Sequence, residues 1–305
     1  MSDTALLLRV HYWDDELAAL AATLRERLPY DLHIVADETQ GKAPPLPYPT
    51  IGLDAQFAPN HGLLDRFPQV TWRCGDYALY LARERLPNYR FYWMLEHDVR
   101  LHFADPYDAL RPFEAAADVD FLSCGYGPAG AWAWGEAISD LAPNYRCAFA
   151  IVRLAGHALD ALRAERVAQT QMFLNHGRDP TTWPNDEAFV ATMLTAKGFV
   201  CRDMNDFGRT LYEESSFDFF RPVSLRAMEQ SPPDNRIHHP VLHGLHLFNK
   251  WMTIAFAAKQ FDFDWLIGYV RSLIGVEWNP AQATQLIEHI GRVRTQRPRV
   301  APAQP

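Results

Sequence analysis

Cysteine is scarce in this chain of 305 residues, and its four copies, Cys74, Cys124, Cys147 and Cys201, stand far apart with no C-x-x-C pair. That spacing indicates neither a structural zinc site nor a thioredoxin-like motif, and it fits a reduced, intracellular setting. Long hydrophobic runs are also missing. The start, Met1 to Val10, has an apolar core of only a few residues with an acid before it, too short for a signal peptide or a membrane span. The expected location is therefore cytoplasmic, with no transmembrane segment and with peripheral membrane contact left open. Positive charge is in deficit, with 29 Lys and Arg against 37 Asp and Glu, a net charge of −8 and a pI near 5.8. Phosphate backbones need clustered cations, so this balance argues against a general nucleic-acid binder. No acidic run accounts for the charge, and neither an internal repeat nor a strong linker is present. The expectation is one domain over residues 1–290, followed by a basic, proline-rich and disordered tail over 291–305.

The chain does have material for a core, being 48% hydrophobic and 13% aromatic. Ala5 to Val10 reads as a buried strand. Asp14 or Asp15 can cap a helix bearing Leu17, Leu20, Ala21, Leu24 and Leu28, and Asp31 to Ala36 reads as a second strand. A β-α-β opening of this kind begins a doubly wound sheet. Gly41 to Pro49, with four prolines, is a surface loop, and Trp72 to Tyr77 leads into a helix ending near Leu86-Pro87. Val119 to Cys124 is a short strand, after which Gly125 to Gly130, with Trp132 and Trp134 beyond, reads as a loop suited to stacking on a sugar or base. Cys147 to Val152 is a strand, with helices expected over about Gly156 to Val167 and over Ala188 to Lys197, the latter stopped by Gly198. Asn279 and Pro280 form an N-cap and first-turn pair for a last helix.

The most informative segment is Phe91 to Val99, an apolar run that ends in Glu96, His97 and Asp98. Ligands of open α/β sheets bind beyond the carboxyl ends of the strands, so acids placed there meet ligand rather than core. Carboxylates at i and i+2 of an extended chain point to one side, where they can share a hard cation or bind ribose hydroxyls. A second acidic pair, Asp186 and Glu187, follows Asn185, which can cap a helix whose dipole favours negative charge in its first turn. Asp76 can hold a ribose or base, or serve only as a helix cap. The segment Arg236 to His246 holds four histidines in nine positions, and His239 and His243 are spaced to meet a ligand or metal.

Taken together, these residues resemble the GT-A family of nucleotide-sugar glycosyltransferases. In that family a Rossmann-like half precedes a D-x-D-type strand-end motif, a later acidic pair at a helix start and often a histidine near the C-terminus. Glu96-His97-Asp98 stands in the place of the first, Asp186-Glu187 of the second, and His239 or His243 of the third, over roughly residues 5–250. Asp186-Glu-Ala-Phe-Val-Ala-Thr-Met193 is also similar to a D-E-x-x-x-A-T-L stretch of core-2-type branching N-acetylglucosaminyltransferases, whose glutamate acts as base. The resemblance implies a Rossmann-like GT-A fold, with a mixed, mostly parallel sheet flanked by helices. It implies a hexosyl- or N-acetylhexosaminyl-transferase with a nucleotide-sugar donor and a carbohydrate or glycoconjugate acceptor. Glu187 and Asp186 would be catalytic, Asp76, Glu96 and Asp98 would bind the donor, and Asp98, Glu96, His239 and His243 would bind metal. The implied cofactor is Mn2+ or Mg2+, or none, because core-2-type enzymes work without metal.

Such a transfer leaves charge on the departing diphosphate, which a divalent cation can neutralise, and requires a carboxylate to take the acceptor proton. A metal-dependent hydrolase is the first alternative, although the first strand leads into His11-Tyr-Trp-Asp14 rather than a D-x-H pair. A non-catalytic carbohydrate-binding protein is the second.

Overall fold

The computed structural model describes residues 2–66, 69–130, 132, 134, 138, 143–258 and 260–296. In chain order the strands are β1 (Thr4–Val10), β2 (Asp31–Glu38), β3 (Thr50–Asp54), β4 (Phe91–Glu96), β5 (Arg100–His102), β6 (Phe121–Pro128), β7 (Tyr145–Ala155), β8 (Cys201–Asp203), β9 (Val223–Ser224), β10 (Arg236–His238) and β11 (Val241–Leu242). The helices are α1 (Asp15–Arg27), α2 (Phe57–Asn60), α3 (Val70–Arg73), α4 (Asp76–Arg85), α5 (Tyr107–Leu110), α6 (Gly156–Asn175), α7 (Asp186–Ala196), α8 (Leu225–Glu229), α9 (Gly244–Ala257), α10 (Phe263–Ser272) and α11 (Pro280–Gln296).

Seven strands form the main sheet in the order β3-β2-β1-β4-β7-β6-β8. Pairs β3/β2, β2/β1, β1/β4 and β6/β8 are parallel, while β7 runs against both β4 and β6. The sheet is therefore mixed and mostly parallel, as expected. Its central strands are apolar along their length because both faces are covered: Leu6, Leu7, Leu8, Tyr92 and Met94 are fully buried. One face packs α4, α6 and α7, and the other carries α1, whose Leu17, Ala21 and Leu24 turn inward. Helices α9, α10 and α11 bury Leu247, Trp251, Leu266, Val270 and Ile290 against one another in a separate apolar cluster. Among the described residues no helix is long and apolar enough to cross a membrane.

Caps fall where the side chains predict. Asp14 accepts from Leu17 N at 3.0 Å, Asn185 accepts from Ala188 N at 3.0 Å, and Asn279 accepts from Gln282 N at 2.9 Å. Three expectations change. Residues 125–128 extend β6 rather than forming a loop, because a left-handed Gly125 (φ 68°) and register shifts around Cys124 let the strand keep pairing with β7. Helix α6 runs on past Val167 to Asn175, and α11 runs to Gln296, so residues 291–296 of the expected tail are helical. Residues 297–305 lie outside the described residues.

Candidate functional site

In this sheet the strand order turns about β1: β2 and β3 lie to one side of it and β4 to the other. Such a switch point opens a crevice beyond the carboxyl ends of β1 and β4, the usual ligand position in α/β sheets. Arg9 and Glu96 are register partners on these parallel strands, so they emerge side by side, with Arg9 Nη1 3.3 Å from Glu96 Oε1.

Glu96 and Asp98 do not meet through strand alternation. A turn at 97–98, closed by Val99 N donating to Glu96 O at 3.1 Å, breaks the extended chain that the i, i+2 reading assumed. They nevertheless converge, together with His239, with one potential ligand atom from each residue lying within 4.8 Å of the others. Asp98 and His239 are buried, and His239 Nε2 is 3.5 Å from Asp98 Oδ1. Burial raises the Asp98 carboxyl, but His239, His97 and Lys250 pull it below its ordinary value. Its Oδ1 has no hydrogen-bond donor although it is fully enclosed. A buried anionic oxygen without a donor, beside a second carboxylate and an imidazole, suits a divalent cation of the Mn2+ type. Glu96, Asp98 and His239 therefore fit a metal.

His243 is not in this group. Its Nε2 lies 3.2 Å from Asp14 Oδ2, in a cluster completed by His246. Between the clusters lies an aromatic bridge: Tyr12 stacks on His246 at 3.9 Å and meets His97 edge-on at 5.1 Å. Burial pushes the His97 imidazole down to about 3, against the opposing pull of Asp98.

The second acidic pair reaches the same crevice from α7. That helix is fastened to β7 by Thr192, whose Oγ1 donates to Tyr145 O at 3.0 Å and accepts from Tyr145 N at 2.9 Å. Asp186 is buried, its Oδ2 accepting from Gly75 N and its Oδ1 from Glu187 N, both at 2.8 Å. Burial, then the charges of Glu187 and Asp76, push its carboxyl well up, and Arg9 opposes them. Glu187 is less enclosed. Burial lifts its carboxyl to about 7, and Glu96 adds to this, while hydrogen bonds from Asn185 Nδ2 (3.1 Å) and the Phe149 main chain oppose it. A carboxylate held near neutrality can both accept and release a proton.

Asp76 is not at the crevice. Its oxygens receive Arg166 Nε at 2.7 Å and Nη2 at 3.3 Å, Tyr80 donates to Oδ2 at 2.9 Å, and both ion-pair partners are sealed from solvent. With both oxygens turned to protein donors and the side chain sealed from solvent, Asp76 is not presented to a ribose or base. Arg166 also donates to Pro184 O at 3.0 Å, which ties the start of α4 to the turn that presents Asp186. Trp134 lies under the Arg73 guanidinium, 5.0 Å from ring centre to Cζ. The residues around it at 131, 133 and 135–137 lie outside the described residues.

Arg9, Gly75 and Tyr12 were missed in the sequence. The one available signal was a lone cation inside the apolar run Leu6-Leu7-Leu8-Arg9-Val10.

No protein-family model matches the chain, and no curated protein matches it. Among solved structures it is similar to a glycosyltransferase involved in the glycosylation of the major capsid of PBCV-1 (10% identity, 83% of this chain and 99% of that one, TM-score 0.38). It is also similar to mouse xyloside xylosyltransferase 1 (10% identity, 77% and 97%, TM-score 0.40). A third is the mannose-1-phosphate geranyltransferase from Thermus thermophilus (15% identity, 73% and 82%, TM-score 0.35). Likeness at this level carries no argument about chemistry, so the functional reading rests on the crevice itself.

Proposed function

We propose that this chain is a glycosyltransferase that moves a sugar from a nucleotide-diphosphate sugar to an acceptor hydroxyl, working as a single unit over residues 1–290. One observation carries the reading: the metal-competent Glu96–Asp98–His239 group and the Asp186–Glu187 turn are brought together around Arg9, beyond the carboxyl end of β1. Glu96, Asp98 and His239 would hold Mn2+ or Mg2+, which when bound would neutralise the charge developing on the departing diphosphate. Glu187 takes the proton of the attacking hydroxyl. The acceptor oxygen bonds to the anomeric carbon as the bond from that carbon to the phosphate oxygen breaks, its electron pair leaving with the diphosphate. Asp186, fixed by Gly75 N, positions Glu187 from the neighbouring site in the turn. Trp132 and Trp134 are proposed to stack on the sugar or base.

A two-metal hydrolase would need ions held about 3.5–4 Å apart. Among the described residues the acidic centre and the Asp14 cluster share no ligand, which favours the transferase. The test is a thermal-shift screen of nucleoside diphosphates and nucleotide-sugars with and without Mn2+. A rise in Tm that Mn2+ enlarges is expected, because a ligand that binds only the native state stabilises it. No shift across the panel at millimolar ligand would overturn the reading.

A further inference from the structure

Asp14, His243 and His246 form a cluster that the transfer chemistry does not use. Asp14 caps α1 through Oδ1, which leaves Oδ2 uncommitted to the helix. Oδ2 lies 3.2 Å from His243 Nε2 and 3.9 Å from His246 Nε2. The two histidines are spaced i, i+3 across the first turn of α9, a spacing that sets their imidazoles on one side of the helix. His243 is the N-cap of α9 but makes no capping bond, and its buried Nε2 has no hydrogen-bond partner despite its distance to Asp14. An oxygen anion and an imidazole nitrogen thus face each other without an aligned N–H between them. A bound cation resolves that arrangement.

We propose that Asp14, His243 and His246 bind a first-row transition cation of the Zn2+ class, at a site separate from the Glu96–Asp98–His239 centre. Two imidazole nitrogens and one carboxylate oxygen suit Zn2+ or Co2+ and disfavour Mg2+ and Ca2+, which take oxygen ligands. Three protein ligands leave a fourth position open, and half-exposed His246 places that position toward solvent. The N-termini of α1 and α9 both face the cluster, and their dipoles oppose a cation. The site therefore selects for coordination strength, which a hard cation lacks with imidazole ligands. Loaded, it joins the corner after β1 to the first turn of α9, and Tyr12 lies between it and the acidic centre. A third cluster, His102, Asp234 and His238, differs: Asp234 accepts from His238 Nε2 at 2.9 Å and is paired to His102 Nδ1 at 3.3 Å, so the facing atoms already have partners. The proposal does not depend on the transferase reading.

The probe is Co2+, followed by its visible absorption on the chelator-stripped full chain and then displaced with Zn2+. Four proteins are compared: wild type, Asp98→Asn, His243→Gln/His246→Gln and His102→Gln/His238→Gln. Wild type, Asp98→Asn and the 102/238 variant should each retain a Zn2+-displaceable site, and the 243/246 variant should lose at least about tenfold in affinity for it. Circular dichroism and Tm measured in chelator check that each variant folds. If the double variant does not fold, His246→Gln alone decides, because this side chain is half exposed. No Co2+ uptake by the wild type, uptake unchanged by loss of His243 and His246, or uptake lost instead in the 98 or 102/238 variants would overturn the site.

Discussion

Arg9 stands between two carboxylates: its Nη1 is 3.3 Å from Glu96 Oε1, and with Asp186 Oδ2 it occupies the space that a Cβ on Gly75 would need. One guanidinium thus offsets acids delivered by β4 and by α7, and the absence of a side chain at position 75 allows that approach.

Replacing Arg9 with Gln should lower the unfolding free energy by about 3 kcal/mol at pH 7, since two poorly solvated carboxylates lose their cation. The loss should shrink at pH 5, because the Asp186 carboxyl, which burial pushes up, is more fully protonated there than at pH 7. Urea unfolding at both pH values measures it, and an equal loss at the two would show that Arg9 acts by packing alone.

Glu187→Gln should reduce single-turnover transfer by on the order of 10²–10⁴-fold while leaving nucleotide affinity within a few-fold. A base works deprotonated, so the wild-type rate should rise with pH up to about 7 and level off above it. The same shift has a stability consequence. With a folded value near 7 against an ordinary 4.5, the native state holds the proton more tightly than the unfolded chain across that window. The stabilisation is complete below 4.5 and is lost as pH rises through 7. In Glu187→Gln both the rate limb and this fall should disappear. A rate near that of wild type would remove Glu187 from the chemistry.

Asp98→Asn should abolish the Mn2+-dependent part of donor binding and change stability by no more than about 1 kcal/mol, because an amide fills the same volume and can still meet His239. Calorimetry with donor, with and without Mn2+, checks it. Metal dependence that survives the substitution would count against the assignment.

Asp76→Ala should behave differently from every substitution in the crevice. Removing one partner of a sealed ion pair costs about 3–5 kcal/mol, so the unfolding midpoint should fall sharply while the protein that remains folded keeps its nucleotide affinity. Affinity lost in step with the wild-type fold would point back to ribose contact.

The sequence showed those parts of the site that local chemistry specifies. Glu96 and Asp98 were visible because an apolar run ends on them, and Asn185, Asp186 and Glu187 because a cap and a first helical turn have recognisable side chains. What it could not show depends on register or on distant partners. Arg9 faces Glu96 only because β1 pairs with β4 in one particular register. Asp76 reads as a ribose ligand or a helix cap because Arg166, the partner that engages it, lies a whole helix and several strands further along. Glu96 and Asp98 do come together, but a turn rather than strand alternation gathers them. His239 and His243 were equivalent as letters, and tertiary placement sent one to Asp98 and the other to Asp14.

The main chain of Asp98 also has a part in this placement: its carbonyl accepts from Val241 N at 2.8 Å, two residues beyond His239. The histidine is thus moored to the strand end by a peptide group, which no side-chain substitution at position 98 removes. Assembly of the centre and its ligand chemistry are consequently separable. Drift over generations could alter or discard the ligand set of Glu96, Asp98 and His239 while the late segment of the chain kept returning to the same berth.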